Sequence, residues 1–213
     1  MTEHSLVSDS ARQRVRGWAV PVALFMGRLG LTANTLTLLG FAGTSAAAIA
    51  AGAQMWVLAG VLVLAFGIFD LFDGALARAT GTASKFGAFL DSTLDRTGEN
   101  LVYAGIAFGA SQAQFPTAVI GAVLAMAFAS VVTYTRAKAE VVGLKGDVGI
   151  APRPERLVLL AAGLILGGWP GGFLWFGQGW LAIALGLIAA LSAITVLQRI
   201  LHTKYQLDQQ DKR

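Results

Sequence analysis

The 213-residue sequence contains no cysteine, which excludes disulfides, thiolate metal sites and a cysteine nucleophile together. Histidine is almost missing as well: the only two, His4 and His202, stand near the termini and outside any cluster. Any metal must therefore bind through oxygen, and carboxylates are the ligands that remain. Charge is scarce too, at 13% of residues against 55% hydrophobic, with a mean hydropathy of +0.65. A soluble surface of this size cannot use so much apolar side chain, so the composition is that of a membrane protein. The net charge of +4 and pI near 9.8 do not indicate nucleic acid, because the basic residues flank apolar runs instead of forming a soluble face with exposed aromatics. No cleavable leader is expected, since Met1 to Gly17 is polar and mixes acids with arginines.

Six apolar runs of membrane-crossing length are present, at about 33–53, 55–77, 86–110, 115–135, 157–176 and 179–198. Ahead of them, Ser8 to Leu31 interleaves Arg12, Arg14, Arg16 and Arg28 with Val15, Trp18, Val20, Leu24 and Phe25. That pattern predicts an amphipathic helix lying in the interface, with Pro21 near its start or at a kink. The expected fold class is an all-α membrane protein: six transmembrane helices preceded by an interfacial amphipathic helix. Residues 1–213 form a single membrane domain, in which 1–32 are a cytoplasmic N-terminus containing the interfacial helix. With six spans both termini share a side, and all 16 Lys and Arg residues fall on that side or at the helix ends facing it. The positive-inside rule makes that side the cytoplasm of a cell membrane crossed several times. Trp56, Trp169, Trp175 and Trp180 then lie near the opposite face and Trp18 near the cytoplasmic one. Gly105 and Gly109, like Gly163 and Gly167, form G-x-x-x-G pairs that let helices approach closely. Packing within one bundle accounts for them better than a homodimer contact does.

The chemistry is concentrated at two junctions. Asp70 and Asp73 (i, i+3) end the second run, and Asp91 and Asp95 (i, i+4) begin the third, so each pair projects from one face of its helix. A short turn makes the two helices antiparallel neighbours and can bring the pairs face to face. Four carboxylates at a low-dielectric boundary cannot all remain ionised without cations among them. All-oxygen ligation favours Mg²⁺ or Mn²⁺, and four acids suit two ions that clamp both oxygens of a phosphoryl displacement. Simple pairing of these acids with Arg78, Lys85 and Arg96 does not require this spacing. Gly74, Ala77 and Gly87 keep the same stretches free of bulk, where a flat ligand can approach the backbone. Arg78, about one turn beyond Asp73, can hold a pyrophosphate through charge-assisted bonds. A metal-gated small transporter, the rival class, needs ionisable groups near the bilayer midplane, whereas here they cluster at one end.

These residues spell D-x-x-D-G-x-x-A-R, eight further residues, then G-x-x-x-D-x-x-x-D. The pattern resembles the signature of the CDP-alcohol phosphatidyltransferase family at every position, and the six-span layout extends the likeness over nearly the whole chain. The resemblance implies that Asp70, Asp73 and Asp91 ligate metal and that Asp95 is both near the metals and the general base. It also implies that Gly74, Ala77, Arg78 and Gly87 bind the CDP moiety of CDP-diacylglycerol. A family run T-P-N-x-V-T at the first span reads here Thr32, Ala33, Asn34, Thr35, Leu36, Thr37. Asn34 and Thr37 are then further CDP contacts, and Ala33 replaces the proline.

A second basic constellation comprises Thr133, Arg136 and Lys138 after the fourth span, Arg153 and Arg156 before the fifth, and Arg199 at the end of the sixth. Cations converging near the metal site can hold an acceptor that is itself a phosphate dianion. Cytoplasmic anchoring explains any one of them taken singly. Arg136 and Lys138 stand about 200° apart on a straight helix, so both serve one pocket only if the helix ends between them or a side chain bends back. This part resembles the actinobacterial phosphatidylinositol phosphate synthases within the family, with Arg136 and Lys138 in swapped order and Thr133 in place of a serine. That resemblance implies inositol 1-phosphate as acceptor, with glycerol 3-phosphate the alternative.

Overall fold

The computed structural model describes residues 9–169 and 177–210, with side chains from position 19 onward. Ser8, the side chains of Arg12, Arg14, Val15, Arg16 and Trp18, and Trp175 lie outside the described residues. The elements are α1 (Asp9–Arg28), α2 (Ala33–Gly52), α3 (Trp56–Gly67), α4 (Phe69–Ala79), α5 (Lys85–Gln112), α6 (Pro116–Val141), α7 (Arg153–Gly167) and α8 (Gly179–Gln210).

Local sequence sets several of these boundaries. Thr32 caps α2, its Oγ1 accepting from Thr35 N–H at 3.2 Å, and Ser84 caps α5 by accepting from Gly87 N–H at 3.0 Å. Pro116 opens α6, where its missing N–H costs nothing. α1 runs through Pro21, which therefore lies in the helix interior and not near its start; the proline removes the ladder bond to residue 17 without ending the helix. The second apolar run divides at Ile68 into α3 and α4. Gly67, a poor helix former, ends α3, and the side chain of Leu157 from α7 lies against it: a Cβ added there would stand 2.7 Å from Leu157 Cδ1.

Among the described residues, four helices are long and apolar enough to cross a membrane: Ala33–Gly52, Trp56–Ala79 taken as one unit, Pro116–Val141 and Gly179–Gln210. The chain is thus an all-helical, multi-pass membrane protein. α5 has the length, with 28 residues, but carries Lys85, Asp91, Asp95, Arg96 and Glu99 between its N-terminus and its middle. α7 has 15 residues. Neighbour relations close a ring in the order α2, α5, α6, α8, α7, α3, while α1 lies against α4. Alanine dominates the interior, with Ala47, Ala51, Ala59, Ala110, Ala122 and Ala161 fully buried. Small side chains let the backbones come close where lipid supplies no hydrophobic drive for association. The G-x-x-x-G pairs do this within the chain. A Cβ on Gly105 would lie 2.2 Å from the Ala48 carbonyl oxygen, one on Gly109 2.2 Å from that of Ala51, and one on Gly163 2.3 Å from Ala184 Cβ.

Candidate active site

α4 and α5 both pack against α2, and Asp70 and Asp73 near the start of α4 come together there with Asp91 and Asp95 from the N-terminal part of α5. One carboxylate oxygen each from Asp70, Asp91 and Asp95 lies within 4.8 Å of the others. Asp73 is buried at 5% exposure, and its Oδ2 accepts from the Thr37 hydroxyl at 2.8 Å. Thr37 also donates to the Ala33 carbonyl at 3.1 Å, as a threonine inside a helix does. Thr37, Asp70, Asp73, Asp95 and Arg153 line a void of about 20 Å³ together with Phe41, Phe66 and Phe69.

The residues present fit a divalent cation. The donor set is entirely carboxylate oxygen, and the buried Oδ1 of Asp91 has no hydrogen-bond partner among the described residues. An anionic oxygen buried in that state calls for a cation. Arg153 already supplies one positive charge: its Nη1 donates to Oδ2 of Asp70 and, at 2.5 Å, to Oδ2 of Asp95. Arg153, expected on the acceptor side, reaches the carboxylate cluster from the start of α7.

The small residues of the signature lie beside polar side chains. Gly74 lies under the Arg78 guanidinium, whose Nη1 would be 3.1 Å from an added Cβ. Gly87 faces Ser84 Oγ and Asn34 Oδ1, 3.1 and 3.3 Å from the corresponding point. Ala77 is half-buried on the same helix, and Arg78 is exposed. Asn34 also lines a cavity of about 450 Å³ between α1, α2 and α4, with Arg28, Thr32, Thr80, Thr82 and Ser84.

The basic constellation divides into buried members, Arg156 and Arg199, and members on the exposed surface, Arg136 and Lys138. Arg156, 3% exposed, forms a two-pronged pair with Glu99 of α5 at 2.9 to 3.1 Å and donates to the Ala151 carbonyl at 2.9 Å. Arg199 donates through Nε to the Val148 carbonyl at 2.9 Å and through Nη1 to that of Val132. Arg96, Arg136 and Arg156 lie within electrostatic reach of Arg199, with Asp147 the acid nearby. α6 continues through Arg136 and Lys138 to Val141, so the helix does not end between them. Arg136 pairs with Glu140 at 2.9 Å on the exposed surface, and Lys138 Nζ lies 5.5 Å over the Tyr134 ring. Thr133 turns its hydroxyl back to the Ala129 carbonyl at 3.4 Å.

Sequence reasoning missed Glu99, although Asp91, Asp95 and Glu99 continue an i, i+4, i+8 stripe on α5 that marks it. It also missed the strap formed by α8 over residues 142–152. Thr195 Oγ1 accepts from Ala151 N–H at 3.1 Å and Gln198 Oε1 from Ile150 N–H at 3.2 Å. Gln206 accepts from Lys145 N–H and donates to the Lys145 carbonyl, at 3.3 and 2.9 Å. These bonds hold the segment that delivers Arg153 and Arg156.

Residues 30–200 match the model of the CDP-alcohol phosphatidyltransferase family. The phosphatidylinositol phosphate synthase of Mycolicibacterium smegmatis is 40% identical over 190 residues, covering 84% of this chain and 81% of that protein. A crystal structure of the Mycobacterium tuberculosis phosphatidylinositol phosphate synthase with CDP-DAG bound superposes with a TM-score of 0.78 at 33% identity, covering 87% of this chain and 92% of that one. The same enzyme in complex with manganese and citrate gives a TM-score of 0.78 at 32% identity, covering 88% of each chain. The chain belongs to the CDP-alcohol phosphatidyltransferase family of membrane enzymes.

Proposed function

We propose that this protein transfers the phosphatidyl group of CDP-diacylglycerol to inositol 1-phosphate, giving phosphatidylinositol phosphate and CMP. The observation that carries the reading is that two clusters of opposite sign meet: the carboxylates of α4 and α5, and the arginines at the start of α7, where Arg153 bonds Asp70 and Asp95 and Arg156 bonds Glu99. A donor pyrophosphate needs the first, through cations, and a phosphorylated acceptor needs the second. The names of the relatives, and the CDP-DAG bound in one of them, agree with both halves.

In this reading residues 1–213 are one domain with six spans and α1 in the interface. Both termini, the aspartates and the loop 142–152 face the cytoplasm, as the distribution of Lys and Arg supports. Asp70, Asp73, Asp91 and Asp95 hold the metal. When bound, two Mg²⁺ or Mn²⁺ ions neutralise the pyrophosphate and the charge that develops during displacement. Asn34, Thr37, Gly74, Ala77, Arg78 and Gly87 hold the CDP portion, with Arg78 on the pyrophosphate and the bare glycines admitting it close to the backbone. Thr37 serves by orienting Asp73, to which it is bonded. Thr133, Arg136, Lys138, Arg153, Arg156 and Arg199 form the acceptor side.

Asp95 accepts the proton of the acceptor hydroxyl. The acceptor oxygen forms a bond to the phosphorus that bears diacylglycerol, the bond from that phosphorus to the bridging oxygen breaks, and CMP carries the bridging oxygen away. Arg153, bonded to Asp70 and Asp95, fixes the base and lies between the clusters. The acyl chains remain in the bilayer throughout.

The test is an acceptor panel with purified protein, CDP-diacylglycerol and Mg²⁺. Inositol 1-phosphate is expected to be the best acceptor and free inositol a poor one. Turnover with glycerol 3-phosphate and none with inositol 1-phosphate would leave the family chemistry standing and overturn the acceptor.

A further inference from the structure

We propose that Arg96 is an additional acceptor-binding residue, whose guanidinium holds the phosphomonoester of the acceptor while Asp95, its neighbour in sequence, takes the hydroxyl proton. The proposal rests on the transfer reading above and adds to it a residue that neither the signature nor the basic motifs assign.

Position is the first support. Ser92, Arg96 and Asn100 share one face of α5 by their i, i+4 spacing, and Asn100 Oδ1 on that face accepts from Ser130 of α6 at 3.1 Å. α5 and α6 are antiparallel, joined by the short turn between Gln112 and Pro116. One turn back along α5 from Asn100 is therefore level with one turn forward along α6 from Ser130, which sets Arg96 beside the turn that carries Thr133. Asp95, Glu99, Arg153 and Arg156 are within its electrostatic reach, as is Arg199. Arg96 thus stands between the base and the basic constellation.

Unused bonding capacity is the second. Arg153 donates to Asp70 and Asp95, Arg156 to Glu99 and the Ala151 carbonyl, and Arg199 to the carbonyls of Val148 and Val132. Arg153 Nε is also buried without a partner, but in Arg96 both Nε and Nη1 are buried and have no hydrogen-bond partner among the described residues. A buried guanidinium with two unpaired donors is costly until an anion with several acceptor oxygens arrives. A phosphomonoester dianion has three such oxygens and two charges, and a carboxylate or hydroxyl ligand offers less on both counts. An acceptor without phosphate would leave these donors unpaired, which is a strong basis for rejecting it.

The experiment compares unmutated protein with Arg96→Ala and Arg96→Lys in Mg²⁺-containing detergent micelles. It reads kcat and KM for inositol 1-phosphate, the competitive inhibition constant of inorganic phosphate, and CDP-diacylglycerol binding. Arg96→Ala is expected to raise the acceptor KM about ten- to a hundredfold. The phosphate inhibition constant should rise in parallel, with kcat within severalfold and CDP-diacylglycerol binding unchanged. Arg96→Lys, which keeps the charge and loses the planar donors, should give a smaller rise in both constants, and it carries the test if the alanine variant does not fold. A fall in kcat with both acceptor constants unchanged would make Arg96 a support for Asp95 and overturn the proposal, as would no change at all. If the unmutated protein uses no phosphorylated polyol, the transfer reading falls and takes this assignment with it. If it uses one and the variants bind it normally, only the Arg96 assignment falls.

Discussion

The Thr37 hydroxyl of α2 donates to Oδ2 of Asp73 on α4 at 2.8 Å, and both residues are buried. The bond links the run that opens the first span to the signature that closes the second. It leaves Asp73 one oxygen for a cation and fixes the direction in which that oxygen points. Thr37→Val, nearly isosteric, would strand a buried carboxylate oxygen at a cost of about 1–3 kcal/mol. Lower thermal stability in detergent and a large loss of kcat are expected, with both largely restored in Thr37→Ser. Equal behaviour of the valine and serine variants would mean that the bond does not hold the acid in place.

Metal binding and Arg153 should oppose each other, because both use oxygens of Asp70 and Asp95. Asp70→Asn, Asp73→Asn and Asp91→Asn each remove an anionic ligand and should weaken Mn²⁺ binding about tenfold or more and abolish turnover. Arg153→Ala removes a competing charge and should tighten Mn²⁺ binding roughly tenfold, while acceptor KM rises. Titration of free Mn²⁺ by electron paramagnetic resonance reads these changes independently of turnover. Near-normal Mn²⁺ affinity in two of the three asparagine variants would contradict the ligand assignment.

The Glu99 and Arg156 pair joins α5 to α7 in the interior, with side chains 12% and 3% exposed. Removing one partner of a buried pair leaves the other charge uncompensated, so Glu99→Ala should destabilise by about 3–5 kcal/mol. Replacing both, as Glu99→Leu with Arg156→Met, should recover much of that loss, since apolar pairs of similar volume are tolerated there. The double variant should remain a poor enzyme, because Arg156 belongs to the acceptor cluster. Thermal unfolding and acceptor KM, measured on the same preparations, separate these two roles.

Several of these relationships were legible in the sequence and others were not, for physical reasons. Apolar runs located all six helices from α2 to α8, counting α3 and α4 together, because a lipid-facing helix must be apolar along its length. The same criterion ended α6 near 135 and α8 near 198, whereas they extend to Val141 and Gln210 as polar helix, which hydropathy does not detect. The carboxylate cluster was readable because its members sit three or four residues apart on adjoining helices. Partners of Arg156 and Arg199 were not, since Glu99 and the Val132 and Val148 carbonyls are 51 to 67 positions away, and no periodicity links such positions. The bonds of Arg153 to Asp70 and Asp95 span 83 and 58 positions and depend on how α7 packs, which no local pattern shows.

Orientation in the membrane gives a prediction that uses the cysteine-free background directly. A cysteine at position 145 should react with an impermeant maleimide only from the cytoplasmic side, and one at position 112 only from the opposite side. Cytoplasmic labelling at 112 would contradict the six-span arrangement, and with it the placement of the aspartates at the cytoplasmic surface.

The most direct measurement is the stoichiometry of a single reaction mixture containing purified protein, CDP-diacylglycerol, radiolabelled inositol 1-phosphate and Mg²⁺. The account predicts one CMP released for each labelled phosphatidylinositol phosphate formed, with both falling to background when a chelator removes the metal and returning with Mn²⁺. CMP release that continues without the acceptor, or lipid labelling that survives the chelator, would contradict metal-dependent direct transfer to the acceptor hydroxyl.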